Sequence, residues 1–403
     1  MPLTVPRSIN FILCTFLACT NSVVADEAAS NYLFAALELD GPVPVYVDSA
    51  TTDDPDTGFA TLLSDKQVSY LEQRSVASAL NRFDDATSCS ECVWSRYSHS
   101  SWSSARLNDR LHQLARVALL RARIHYEAGQ WIEGNRSVER VRVMARHMTL
   151  QARPFEHQCF MIENMANGTA AAYILQLPQD ALADLLERHR RLGVFSPKSA
   201  MLKAEADRIR LLAKDFESGQ VAVDKLLEFV DPHLTSTEFA QRVRRNSRED
   251  AADELRGLAA FLSDHSQLME LEHDDAEHQI AKAYRRHSKS CRLVADFAEP
   301  WFGDYRENAQ GICRGIMFGA VVNQLQNAQP DFTNIEDPYG SKSLQFQKNE
   351  SGFTLVSELQ HHSQIKFQFG LAGPNWTANQ PMQPSGEVGR FEMDDQPSPP
   401  ADR

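Results

Sequence analysis

From Leu107 to Met148 the apolar residues recur at a helical spacing, and the pattern breaks once, at Gly129. Leu107, Leu111, Leu114, Ala118 and Ile124, with Val117 and Leu120 beside them, mark one face of a long amphipathic helix, because residues three and four apart share a helix face. The period stops at Gly129. After a short link from Gln130 to Asn135, the residues Val138, Val141, Met144, Ala145 and Met148 mark a second stripe. Two helices joined by so short a link fold back on each other, each burying its stripe against its neighbour.

With Trp131 two residues after the glycine, this hairpin resembles one tetratricopeptide-type unit. An array needs at least three stacked repeats, and only one such unit is visible. Further helices carry start signals. Pro178 and Pro197 sit where a first helical residue would be, the second preceded by Ser196 as N-cap, and Thr235 with Glu238 has the spacing of a capping box. Leu182, Leu185 and Leu186, then Leu202, Ile209 and Leu212, then Leu255, Leu258 and Leu262 extend the bundle. Near the C-terminus the period changes to alternation at Leu344 and Phe346, at Phe353 and Leu355, and at Ile365, Phe367 and Phe369. Alternation between polar turns predicts three short antiparallel strands. The expected fold class is mainly α, a helical-hairpin bundle with one tetratricopeptide-like unit and a small C-terminal antiparallel β appendage.

The first 25 residues predict a cleavable export signal: Arg7, an apolar run from Ile9 to Ala18, and Val23 and Ala25 at positions suited to a signal peptidase. The run is half the roughly 20 residues a membrane span requires, and no transmembrane segment is expected after cleavage. A rival reading makes Cys19 a lipid-bearing N-terminus, against which Phe16 stands where Leu is usual. The domain limits expected are a signal at 1–25, an acidic and partly disordered leader at 26–65, a helical domain at 66–333, a β appendage at 334–372 and a disordered tail at 373–403. The leader holds nine acidic residues and no Lys or Arg, and the tail holds six prolines. The formal charge of -13, one unit more negative without Arg7, argues against nucleic acid as a partner.

Cysteine and histidine positions raise four candidate sites. Cys291 and Cys313 stand symmetrically about Phe302, and a helical hairpin breaking there would bring both to one height within the Cα window of a disulfide. Cys89 and Cys92, in Cys-Ser-Glu-Cys, invite a metal or redox reading, but no second such pair completes a zinc site and the surroundings are helical. A local disulfide, or a pairing of either with Cys159, is the simpler expectation. His273, Asp274, Asp275, Glu277 and His278 are dense in ligand types, yet the histidines are five apart and do not share a helical face. His361 and His362 alternate to opposite faces of a strand. No phosphate loop, dinucleotide fingerprint or nucleophile elbow is present, and no catalytic, cofactor-binding or metal-ligating residue is nominated.

Two stretches are similar to a family of exported planctomycete proteins. The first comprises Cys92-Val93-Trp94, the helix from Leu111 to Arg123, Gly129, the helix through Ala145-Arg146-His147, and Phe160 to Leu177. The second is Asp337-Pro338-Tyr339-Gly340, Leu344 and Phe346, then Gly352-Phe353-Thr354-Leu355-Val356-Ser357, which also resembles the C-terminal element of type II secretion pseudopilins. Ser343 departs from that pattern, and Glu358-Leu359-Gln360 replaces its Asp-rich loop, so the pseudopilin calcium site is not implied. The four glycosylation sequons at Asn135, Asn167, Asn349 and Asn375 carry no meaning in the bacterial host that the resemblance implies. It implies a location and a fold, and no activity.

The function expected is that of an exported, non-catalytic helical scaffold or protein-interaction protein of the periplasm or cell envelope, with a protein partner, no cofactor, and its binding surface in the groove of the helical hairpins. The alternatives are a hydrolase whose site assembles only in three dimensions and a component of a secretion apparatus.

Overall fold

The computed structural model describes residues 27–39, 63–90, 92, 101–149, 156–230, 238–245, 247–270, 273–297, 302–327, 329–349, 352–361 and 363–370. Outside them lie the expected export signal, Cys19, most of the acidic leader, Trp94, Thr235, His362 and the proline-bearing tail. Among the described residues there are fourteen α-helices and one three-stranded antiparallel sheet, so the chain is mainly α with a small C-terminal β element.

The helices are α1 (Glu27–Glu38), α2 (Asp65–Leu71), α3 (Arg74–Ser88), α4 (Ser101–Glu127), α5 (Trp131–Thr149), α6 (Glu156–Tyr173), α7 (Gln179–Leu192), α8 (Pro197–Glu217), α9 (Val223–Val230), α10 (Glu238–Arg245), α11 (Arg248–Leu268), α12 (His273–Ser290), α13 (Arg292–Phe297) and α14 (Phe302–Gln324). The expected hairpin is α4 and α5. Its link is shorter than the sequence suggests, because α5 already begins at Trp131. Gly129 has φ +72°, a left-handed conformation that any side chain would disfavour, and this lets three residues reverse the chain. Leu111, Leu114, Val117, Ala118, Val138, Val141, Met144, Ala145 and Met148 are buried as the two stripes require. Pro197 is the first residue of α8 behind Ser196, as read, while Pro178 sits one place earlier, as the N-cap of α7.

The acidic leader is not uniform. Its first segment is α1, which packs on α3 and α4 and buries Ala28, Ala29, Tyr32, Ala35, Ala36 and Leu39. The Tyr32 hydroxyl meets Nδ1 of His147 at 3.0 Å, and Arg110 donates to the Leu39 carbonyl at 3.0 Å. The acids of this helix sit at its two ends, Glu27 and Glu38, so the stretch between them is free to be apolar.

The sheet has order β1 (Gln345–Lys348), β2 (Phe353–His361), β3 (Ser363–Phe369), at the three places where alternation predicts strands. Phe346 pairs with Leu355, and Leu355 with Phe367, in register. That face carries a run of rings, Phe332 to Phe353 at 4.5 Å and Phe353 to Phe369 at 5.0 Å, and Phe367 meets Phe318 of α14 edge-on at 6.4 Å. The sheet is therefore part of the main core, continuous with α1–α7, α12 and α14. A second core lies within α8–α11 and α13. The boundary between hydrophobic cores falls inside the helical region, not between helices and sheet.

Candidate functional site

A cleft of about 410 Å³ opens at the α4–α5 turn, lined by Leu63, Tyr126, Glu127, Gly129, Trp131, Tyr173 and Gln176. Two glycines shape it. Gly129 turns the chain, and Gly134 leaves room for the Tyr126 ring, since a Cβ there would lie 2.4 Å from Tyr126 Cε1. Tyr126 stacks on Tyr173 with centroids 4.9 Å apart and stands 6.2 Å from the ring of Trp131. Its hydroxyl donates to Asn135 Oδ1 at 2.9 Å, and Asn135 Nδ2 donates to the Ala181 carbonyl at 2.8 Å and Asp184 Oδ2 at 3.0 Å. The aromatic wall is thereby locked to α7.

Glu127 is the carboxylate of the cleft. Its Oε1 accepts from the Tyr173 hydroxyl at 2.8 Å and from Arg123 Nη2 at 3.3 Å, and its Oε2 accepts from the Leu63 amide at 3.3 Å. Arg123, only 1% exposed, also donates through Nε to Tyr173 Oη at 3.0 Å. Burial pushes the Tyr126 and Tyr173 phenols above their ordinary range, so both remain protonated donors rather than nucleophiles or bases. The arrangement presents apolar rings, a positioned carboxylate and the Gln176 amide, which are the elements of a binding site.

The sequence-derived candidates fall elsewhere. Among the described residues there is no disulfide, so neither the Cys291–Cys313 nor the Cys89–Cys92 bridge is formed. Cys291 sits at the break between α12 and α13, in the second core, with its thiol against Gly257 and 3.3 Å from the Glu254 carbonyl. Cys313 lies on α14 in the main core. The extra break at Cys291 shortens the arm on which the symmetric hairpin depended. The Cys89 thiol donates to the Asp85 carbonyl at 3.5 Å at the end of α3, and Cys92 is buried. His278 is exposed on α12, and His361 ends β2. Asn135 and Asn167 of the sequons are buried.

The Asp337-Pro338-Tyr339-Gly340 turn is held together by its own aspartate. Asp337, buried, accepts from the Tyr339 and Glu358 amides at 3.0 and 2.6 Å and from the Ser357 hydroxyl at 2.8 Å. Glu358, the departure from the pseudopilin pattern, accepts from the Ser341 amide at 3.1 Å.

Arg123, Glu127 and Tyr173 were not nominated from the sequence. Arg123 and Glu127 share a helix face four residues apart, but Tyr173 arrives from α6, and only the bundle brings it to them. No family model, no curated protein and no solved structure matches this chain.

Proposed function

We propose that the protein is an exported helical interaction protein of the cell envelope that engages a protein partner through the cleft at the α4–α5 turn. The observation that carries this reading is the cleft itself, where a half-buried Trp131 stands at the mouth of a rigid aromatic wall with Glu127 at its side. Aromatic anchors set in such walls are the usual energetic centres of protein interfaces. The export part of the reading rests on the residues before Asp26, and the preference for binding over catalysis rests on phenols that burial holds protonated.

The test is affinity capture from a cell-envelope extract with the chain from Asp26 onward, in wild-type and Trp131→Ala forms. The expected result is a partner retained by the wild type and lost by the variant. A partner held equally by both, or none at all, overturns the reading.

A further inference from the structure

The structure assigns a chemical class to the cleft's guest: we infer that it receives a compact organic cation, the guanidinium or ammonium of a basic side chain on the partner. This deepens the interaction reading and rests on it for the identity of the cation's bearer. Three observations converge. The first is the wall, since a cation is attracted to the electron-rich face of an aromatic ring, and the half-buried Trp131 stands at the cleft's mouth, backed by Tyr126 and Tyr173, which are enclosed and stacked on each other.

The second is the unused capacity of Glu127. A carboxylate offers about four lone-pair sites, and Glu127 uses three, two on Oε1 and one on Oε2. Oε2 is left able to accept a further donor. Arg123 balances its charge from the enclosed side, while the carboxylate keeps about 23% of its own side chain exposed. That one carboxylate can hold two guanidiniums in this fold is shown, among the described residues, by Asp84 with Arg121 and Arg140, Glu139 with Arg188 and Arg191, and Glu163 with Arg142 and Arg146. Among the described residues Glu127 holds one, from the almost fully enclosed Arg123, so the member of the pair that a guest meets is the carboxylate.

The third is scale and field. A volume of about 410 Å³ lies near the small end of the range for ligand sites, roughly 300–1,000 Å³. It admits one long side chain. The net charge of -13 steers a basic segment toward the surface and disfavours an acidic one. A neutral polyol could use the same acceptors but would draw nothing from the charge.

The experiment titrates the full chain from Asp26 with N-acetyl-arginine amide, tetramethylammonium chloride, the uncharged N-acetyl-norleucine amide, and glucose. The readout is the Trp131 indole N–H resonance, assigned by its loss in Trp131→Phe. A saturable shift is expected from the two cations and none from the neutral probes. Affinity should weaken with added salt for both cations, and that of N-acetyl-arginine amide should fall by roughly tenfold or more in Glu127→Gln, the loss of one charge-assisted hydrogen bond. Because Glu127 also braces Tyr173, Glu133→Gln serves as a second variant that removes an exposed carboxylate of the same hairpin outside the cleft's lining, and it should keep cation binding within about threefold. Absence of a shift, equal shifts from neutral and charged probes, or undiminished binding of N-acetyl-arginine amide in a folded Glu127→Gln protein overturns the inference. A Trp131-dependent partner with no cation binding leaves the interaction reading standing and removes this inference. Cation binding with no captured partner does the reverse.

Discussion

At the scale of single residues, the two glycines of the α4–α5 hairpin make opposite demands. At Gly129 a side chain would have open space but a positive φ, so Gly129→Ala should cost about 1 kcal/mol through backbone strain and leave the cleft's aromatic signals unchanged. At Gly134 the backbone is helical, and the obstacle is the Tyr126 ring. Gly134→Ala should cost about 1–3 kcal/mol by overpacking and also displace Tyr126. Urea denaturation with near-ultraviolet circular dichroism separates the two: both lower the midpoint, and only Gly134→Ala alters the aromatic spectrum of the native state. Two histidines set a pH dependence. Burial, reinforced at His189 by the charge of Arg142, holds His189 down to about 4, and burial likewise holds His265 to about 4. An unfolded histidine binds its proton near 6.5. Between these values the unfolded chain carries more protons than the folded one, so the stability these neutral side chains confer is complete above about pH 6.5 and declines as pH falls toward 4. The urea midpoint should drop across that window, and His189→Gln should shallow the drop. A midpoint flat from pH 7 to 4.5 would contradict both assignments.

At the scale of elements, one carboxylate joins two helices and, through Arg146, the loop that follows a third. Glu163 of α6 accepts from Arg142 Nε at 2.9 Å and Arg146 Nη1 at 2.8 Å, both on α5, and Arg146 also donates to the Gly193 carbonyl after α7 at 3.1 Å and lies 4.8 Å from the Phe195 ring. Burial pushes this carboxyl up, but the two guanidiniums outweigh it and hold it below its ordinary value. Glu163→Ala leaves Arg142 enclosed without a counter-charge and should destabilise the fold by roughly 3–5 kcal/mol. A loss under 1 kcal/mol in urea melts would show that the helices are held by apolar packing alone. Such ties mark the limit of what was legible beforehand. The α4–α5 hairpin and the three strands could be read because each advertises itself in a local period, 3.6 residues or two. The pairing of Glu163 with two arginines could not, because nothing in a linear pattern distinguishes a buried charged residue from a solvated one. Helix α1 was missed for a related reason: its neighbours in sequence are acidic and turn-rich, and composition averaged over 26–65 hides the apolar run between Glu27 and Glu38. The cleft was anticipated only as a groove of the hairpins, since its carboxylate, its buried arginine and its second tyrosine meet across 46 to 50 residues of chain.

At the scale of the whole molecule, two hydrophobic cores share one chain, and the cysteines report on each. Core membership explains why symmetry about Phe302 misled: Cys291 faces α11 in the second core, while Cys313 faces the sheet in the first. The second core is the smaller, and Asn308 of α14 is one of its ties to the first, donating to the Met269 carbonyl at the end of α11 and to Ser196 Oγ at the start of α8, each at 2.9 Å. A smaller core buries less apolar surface and opens at lower cost. Burial also raises both thiols, Cys313 to about 12, so neither presents thiolate to an alkylating agent until its core opens. Under increasing urea without reductant, iodoacetamide should therefore modify Cys291 at lower denaturant than Cys313, with both fully modified once the chain is unfolded. Peptide mass spectrometry reads the order. Simultaneous modification would mean that the two cores open as one cooperative unit, and a Cys291–Cys313 linked peptide would mean that the helices on either side of Phe302 do face each other after all.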